Sequence, residues 1–255
     1  MILNSFFSAL KMYSRIPCPQ PQWKEENRRF SLCFFPAVGL VIAALFLLWQ
    51  QICAALRIGG LLQGAVMMLI PLAMTGGFHM DGFCDVQDAL SSCAPLEKKL
   101  EILKDPHIGA FAVIYAAAYL ILQAALYGSI TNLHTAGVIA CGFVLSRALS
   151  GLCAVFFRAA KREGSLQDFV VPADRRATIT ALSVTAGCTA ALMLVISPLS
   201  GALSIGASVL CLVHYRTVCY RQFGGITGDC AGYFLQNCEL AVAAAALAAQ
   251  ILRGM

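Results

Sequence analysis

Residues 58–90 read IGGLLQGAVMMLIPLAMTGGFHMDGFCDVQDAL: no charged side chain from Ile58 to Phe78, and then three aspartates, Asp81, Asp85 and Asp88. A charge-free run of this size matches the ~20 residues that a helix needs to cross the hydrocarbon of a bilayer. The aspartates therefore mark the place where the chain leaves the membrane.

The rest of the sequence has the same character. Of its 255 residues 59% are hydrophobic and only 12% charged, with a mean hydropathy of +0.76, whereas a soluble domain carries about 25% charge. Further charge-free runs cover 30–56, 108–146 and 177–213. Each of the last two is long enough for a pair of spans, and each is interrupted by turn formers, YGSITNLHT at 127–135 and SPLSG at 197–201, as expected of tight hairpins between antiparallel helices. A final apolar stretch runs from Leu240 to Leu252. The expectation is an all-α, polytopic membrane protein, a single domain over 1–255 with seven spans near 32–56, 61–78, 109–127, 134–157, 177–197, 200–215 and 233–252. The N-terminal MILNSFFSALKMYSRIP is too poor in apolar residues to span and has no Ala-x-Ala cleavage site, so it reads as an amphipathic helix on the membrane surface.

Charge sets the orientation. With the N-terminus in the cytoplasm, fifteen of the eighteen Lys and Arg residues fall on the inner side, Arg57 and Arg253 fall outside, and Arg147 lies within a span. The net charge of +5 then reflects topology and implies no nucleic-acid partner. Twelve cysteines, scattered without a C-x-x-C pair and many of them inside apolar runs, read as buried reduced thiols rather than a disulfide framework.

Nearly all the acids fall on the inner side, and 81–88 is the densest group. At about 100° per residue a helix would place Asp85 about 40° from Asp81 and Asp88 about 20° on its other side, so one face carries three like charges. They repel unless a cation lies among them. A hard ion such as Mg²⁺ suits carboxylates, and no Cys/His spacing suits zinc; the alternative is a solvated acidic helix end. Gly76, Gly77 and Gly82 would let a phosphate or metal approach the backbone, and His79 is either a proton-transfer group or a polar interface residue. The segment PLEKKLEILKDPHIGAF (95–111) reads as a short amphipathic helix opened by Pro95 and stopped by Pro106, with Lys104 and Asp105 at its end. FGGITGDCAGYFLQNCE (223–239) reads as a glycine-rich turn carrying Thr227 and Asp229 ahead of Glu239, able to offer N–H groups to a phosphate. Arg147, charged within a span, must face the bundle interior and either pair with an acid or bind an anionic substrate.

Taken in order, FFSALKMYSRIPCP, FFPAVGLVIA, GGFHMDGFCDVQDAL, LEILKDPHIGAF, LSRAL and GGITGD with its following glutamate resemble the cobalamin synthase family, the adenosylcobinamide-GDP ribazoletransferases, nearly end to end. Cys84, Val86, Gln87, Pro106 and Ala112 depart from the family's usual residues, and none of these changes removes a carboxylate. The resemblance implies joining of α-ribazole or its 5′-phosphate to adenosylcobinamide-GDP with release of GMP, assisted by Mg²⁺, in a bacterial or archaeal cytoplasmic membrane with the active-site loops facing the cytoplasm. The lipid bilayer, and other cobalamin-assembly enzymes at it, are the partners it implies. In that reading Asp81, Asp85 and Asp88 hold the metal, His79 or Asp229 accepts the hydroxyl proton, and Gly82, Lys104, Asp105, Arg147, Thr227 and Glu239 contact substrate. A CDP-alcohol phosphotransferase is the alternative among enzymes, although its completing Gly-x3-Asp-x3-Asp is missing. An ion transporter is the alternative outside them, although the spans hold almost no acids.

Overall fold

The computed structural model describes residues 2–21, 28–160 and 170–254. Lys24, Lys161 and Arg162, counted in the charge argument, lie outside the described residues. Among those described the chain is helical, with no strand beyond one isolated bridge between Ala159 and Ile226. Ten α-helices follow one another: α1 (Ile2–Tyr13), α2 (Phe35–Leu56, entered through a 3-10 turn at Ser31–Phe34), α3 (Gly60–Thr75), α4 (Phe78–Ser91), α5 (Leu96–Ile102), α6 (Ala110–Gly128), α7 (Leu133–Phe156), α8 (Arg175–Ile196), α9 (Pro198–Phe223) and α10 (Gly228–Gly254).

Six of them, α2 with its entry turn and α6 to α10, are long and apolar enough to cross a membrane, and the α3–α4 pair makes a seventh crossing if taken together. The expected hairpins stand where the turn formers predicted. Asn132 accepts from the Thr135 N–H at 2.9 Å to start α7, and Ser197 alone separates α8 from α9, which opens on Pro198. Pro suits a helix's first turn because its missing N–H has no partner there.

Three spans differ from the sequence expectation. The second, expected over 61–78, is a 16-residue helix that ends at Thr75, after which α4 leaves at 96° across the end of the bundle. Two successive left-handed glycines make that corner, Gly76 at φ 67° and Gly77 at φ 80°, a conformation that costs other residues about 1 kcal/mol or more each. The sixth span runs to Phe223 instead of 215, because Arg216 and Arg221 leave the apolar run without ending the helix; the Arg216 guanidinium lies 4.9 Å over the Tyr220 ring. The seventh begins at Gly228 instead of 233, since the Thr227 hydroxyl accepts from the Cys230 N–H at 3.1 Å and caps it. Asp229 therefore sits in the first turn of a helix and not in a loop.

Helices in lipid gain little from hydrophobic burial against one another and associate through close packing of small residues. Here a Cβ at Gly39 of α2 would lie 2.4 Å from the Phe143 carbonyl oxygen of α7, and one at Gly64 of α3 would lie 2.1 Å from the Ala124 oxygen of α6. The central element is α7, buried almost continuously from Thr135 to Ala148 and packed against α2, α8 and α10. At the end of the bundle remote from the aspartates, Gln250 of α10 accepts from the Asn132 side chain at 3.0 Å and donates to the Ser129 carbonyl at 3.0 Å, tying α10 to the α6–α7 hairpin. The N-terminal α1 packs on α2 and its entry turn, with Ser5, Ser8 and Ala9 fully buried and Ile2 and Leu3 exposed.

Candidate active site

The glycine corner delivers α4 across the first turns of α6 and α10, and this placement builds the site. Gly82 is the contact point with α10: a Cβ there would lie 2.8 Å from the Asp229 Cα and 2.9 Å from its carbonyl oxygen. One turn along α10, a Cβ at Gly232 would lie 2.7 Å from the His79 carbonyl oxygen. Only glycine at these two positions lets the helices approach so closely. Asp229 is thereby brought to the aspartate-bearing helix, a juxtaposition that sequence spacing could not reveal.

The three aspartates of α4 have different surroundings. Asp88 points at the start of α6 and accepts from the Gly109 N–H at 2.6 Å and the Ala112 N–H at 2.8 Å. It satisfies two of the free N–H groups at that helix start and complements the positive end of its dipole. Asp81 is exposed and stands on the wall of a cavity of about 1070 Å³ between α1 and the α3–α4 corner, with Lys11, Arg15, Thr75, Gly76 and Cys84 among the other lining residues. Asp85 lies between them, half-buried. Burial, then the charges of Asp81, Asp229 and Asp88, push its carboxyl up to about 7.

Among the described residues no three His, Cys, Asp or Glu side chains are arranged to hold a metal ion. Mg²⁺ keeps several waters and takes only one or two carboxylates together with substrate phosphates, so a full protein cage is not required for it. The donor set fits a hard cation: all oxygen, anionic, and crowded enough that the ionised form of Asp85 is disfavoured without a counter-charge.

The remaining sequence candidates are dispersed. His79 is buried behind the aspartates, edge-on to Phe35 and Phe78, and burial followed by the charge of Arg147 holds its imidazole down at about 3. It lines a small, mainly apolar cavity of about 40 Å³ and not the large one. Arg147 is 1% exposed and donates to Glu239 of α10 at 2.8 Å and to the Phe143 carbonyl at 2.7 Å. Of the two roles open to a charge within a span, pairing with an acid is the one seen, and both partners are turned away from the cavity. Lys104 and Asp105 are exposed on the α5–α6 connection, where Asp105 accepts from the His107 N–H at 3.0 Å. Thr227 caps α10, and Gly82 serves the α4–α10 contact. The structure thus gathers Asp81, Asp88 and Asp229 around Asp85; of these Asp81 lines the large cavity, whereas Lys104, Asp105, Arg147 and Glu239 do not. Lys11 and Arg15, which the sequence offered only as topology determinants, do stand there. Their four-residue spacing, across the end of an amphipathic helix, was the available signal.

Comparison with known proteins agrees with the motif order. A family model described as cobalamin-5-phosphate synthase matches residues 5–247. The chain is 42% identical over 248 residues to the adenosylcobinamide-GDP ribazoletransferase of Lachnoclostridium phytofermentans, which covers 97% of this chain and 95% of that protein. It is 28% identical over 242 residues to the protein of that name from Clostridium botulinum strain Alaska E43, covering 92% and 93%. No solved structure matches the chain. With a match along nearly its whole length and helices arranged to gather the motif aspartates at one end of the bundle, the chain belongs to the cobalamin-5-phosphate synthase family.

Proposed function

We propose that this protein transfers the cobinamide phosphate of adenosylcobinamide-GDP to α-ribazole or α-ribazole 5′-phosphate, releasing GMP. The observation that carries this reading is the 42% identity, over nearly the full length, to the Lachnoclostridium ribazoletransferase, and a cavity large enough for a bulky ligand, with Asp81 on its wall, gives it a place to occur. Neither a CDP-alcohol phosphotransferase nor a transporter is favoured by the comparisons.

In the reaction a ribazole hydroxyl oxygen bonds to the phosphorus that bears cobinamide, the bond from that phosphorus to the bridging oxygen breaks, and GMP leaves with the bridging oxygen. The hydroxyl proton needs an acceptor, and a half-buried carboxylate serves better than His79, which is buried. Asp229 is the candidate, held against α4 by the Gly82 contact. A bound Mg²⁺ would neutralise charge on the phosphates and orient the nucleotide leaving group; Asp81 and Asp85 are the residues that would hold it, together with substrate phosphates. Asp88, already joined to the α6 N-terminus, fixes the direction of α4 relative to α6. We place the site on the cytoplasmic side because the basic loops lie at the same end of the bundle.

The test is GMP release from adenosylcobinamide-GDP by the purified protein across a Mg²⁺ titration. Asp81→Asn and Asp85→Asn should each lower turnover by at least about 100-fold, with partial recovery at high Mg²⁺, while leaving thermal stability nearly intact. Asp88→Asn should lower stability as well, since it weakens two charge-assisted hydrogen bonds worth about 1–3 kcal/mol each. Normal turnover by the Asp81 and Asp85 variants at low Mg²⁺ would refute the assignment.

A further inference from the structure

The large cavity has two walls of opposite charge. On one, Asp81 projects from α4; on the other stand Lys11 of α1 and Arg15, two residues beyond its end, both exposed. Arg15 is fixed to the corner that aims α4. Its backbone N–H donates to the Met74 carbonyl at 2.8 Å, and its side chain runs over Gly76, where a Cβ would lie 2.5 Å from the Arg15 Cγ and 2.6 Å from Nε. Gly76 thus serves two purposes, the left-handed turn and a seat for the arginine stem. Among the described residues neither Lys11 nor Arg15 forms an ion pair.

From this geometry we propose that Arg15 and Lys11 grip phosphate oxygens of the nucleotide-linked substrate inside this cavity and hold the diphosphate beside the α4 carboxylates. The proposal rests on the transferase reading above and names the residues that bind its anionic substrate. A guanidinium offers phosphate a planar fork, and the ammonium of Lys11, four residues earlier in the last turn of α1, adds a second point of charge. Both cations line the cavity opposite a carboxylate, so the ligand they suit has anionic oxygens on one side and can share a cation with Asp81 on the other. A lipid headgroup phosphate would offer the cations the same chemistry, but Asp81 in the same cavity opposes an anionic lipid that brings no divalent ion.

The experiment uses the full chain reconstituted in vesicles of phosphatidylcholine alone and in vesicles with phosphatidylglycerol added. Arg15→Gln, Arg15→Lys and Lys11→Gln are compared with wild type for the KM and kcat of GMP release, and for inhibition by inorganic pyrophosphate. Losing a charged hydrogen-bonding group should raise KM and the pyrophosphate inhibition constant in parallel by about 10- to 100-fold in Arg15→Gln. Arg15→Lys should recover part of the loss, Lys11→Gln should show a smaller loss, and both vesicle types should agree. Lys11 is exposed, so its variant tests the idea even if Arg15→Gln fails to fold. An unchanged KM and inhibition constant in Lys11→Gln and Arg15→Lys would overturn the proposal, as would a defect confined to vesicles containing phosphatidylglycerol, which assigns the cations to lipid. If wild type itself released no GMP, the transferase reading would fall instead, a result separate from any difference between variants.

Discussion

Replacing Arg147 by Met removes one half of an ion pair that no water reaches. The side chains are 1% and 3% exposed, and the separation is 2.8 Å. In Arg147→Met the Glu239 carboxylate keeps only the Ser146 hydroxyl at 3.3 Å, and an uncompensated charge left in such a place costs about 3–5 kcal/mol. Replacing both partners by apolar residues of similar size is often neutral. Arg147→Met/Glu239→Leu should therefore be more stable than Arg147→Met, with a coupling energy of about 3 kcal/mol. Unfolding in mixed micelles with increasing sodium dodecyl sulfate measures this, and GMP release by the same samples reports the site. If the pair only clasps α7 to α10, the double variant should keep a KM within a few-fold of wild type. A guanidinium that bound substrate phosphate would instead leave a stable double variant with KM raised at least about tenfold. Equal stability of Arg147→Met and wild type, or a coupling energy near zero, would refute the clasp.

Two shorter predictions concern the framework. Gly82→Ala forces a methyl group against the Asp229 backbone, an overpacking that costs about 1–3 kcal/mol. The resulting shift of Asp229 should lower kcat by about 100-fold, whereas Gly206→Ala, which meets nothing within 4 Å, should be neutral; equal activity of the two would break the link between the α4–α10 contact and catalysis. In a cysteine-free background, Cys93, which is exposed, should react with a membrane-impermeant maleimide only from the cytoplasmic side, and Asn132→Cys only from the outer side. The reverse pattern would invert the proposed orientation.

The six long apolar helices and the shorter α3 were legible because length without charge and clusters of turn formers are local properties of a sequence. The aspartates at the mouth of the second span were legible for the same reason. The far ends of α9 and α10 were not, since hydropathy reports where a chain can sit in lipid and not where its hydrogen bonding stops: Arg216 remains helical with its charge over an aromatic ring. Partners across helices were equally hidden. Periodicity put Asp81, Asp85 and Asp88 on one face, yet it could not show that Asp88 would be taken by the α6 N-terminus, that Asp229 would join the others through Gly82, or that Arg147 would meet Glu239. Each of these depends on which helices become neighbours.

The Arg147–Glu239 pair also bears on biosynthesis, because its members are 92 residues apart in the chain. If helices enter the membrane in the order of translation, α7 does so before α10 exists, with its arginine unaccompanied. An arginine at the centre of a span disfavours insertion by about 2.5–3.5 kcal/mol, whereas each Leu, Ile, Phe or Val favours it by about 0.3–0.6. The α7 sequence contains ten such residues, together worth about 3–6 kcal/mol, so the helix can enter and wait. The arrival of α10 then neutralises a charge already in the bilayer and, in the same movement, carries Asp229 up to α4, so that assembly of the bundle and completion of the carboxylate cluster are a single event.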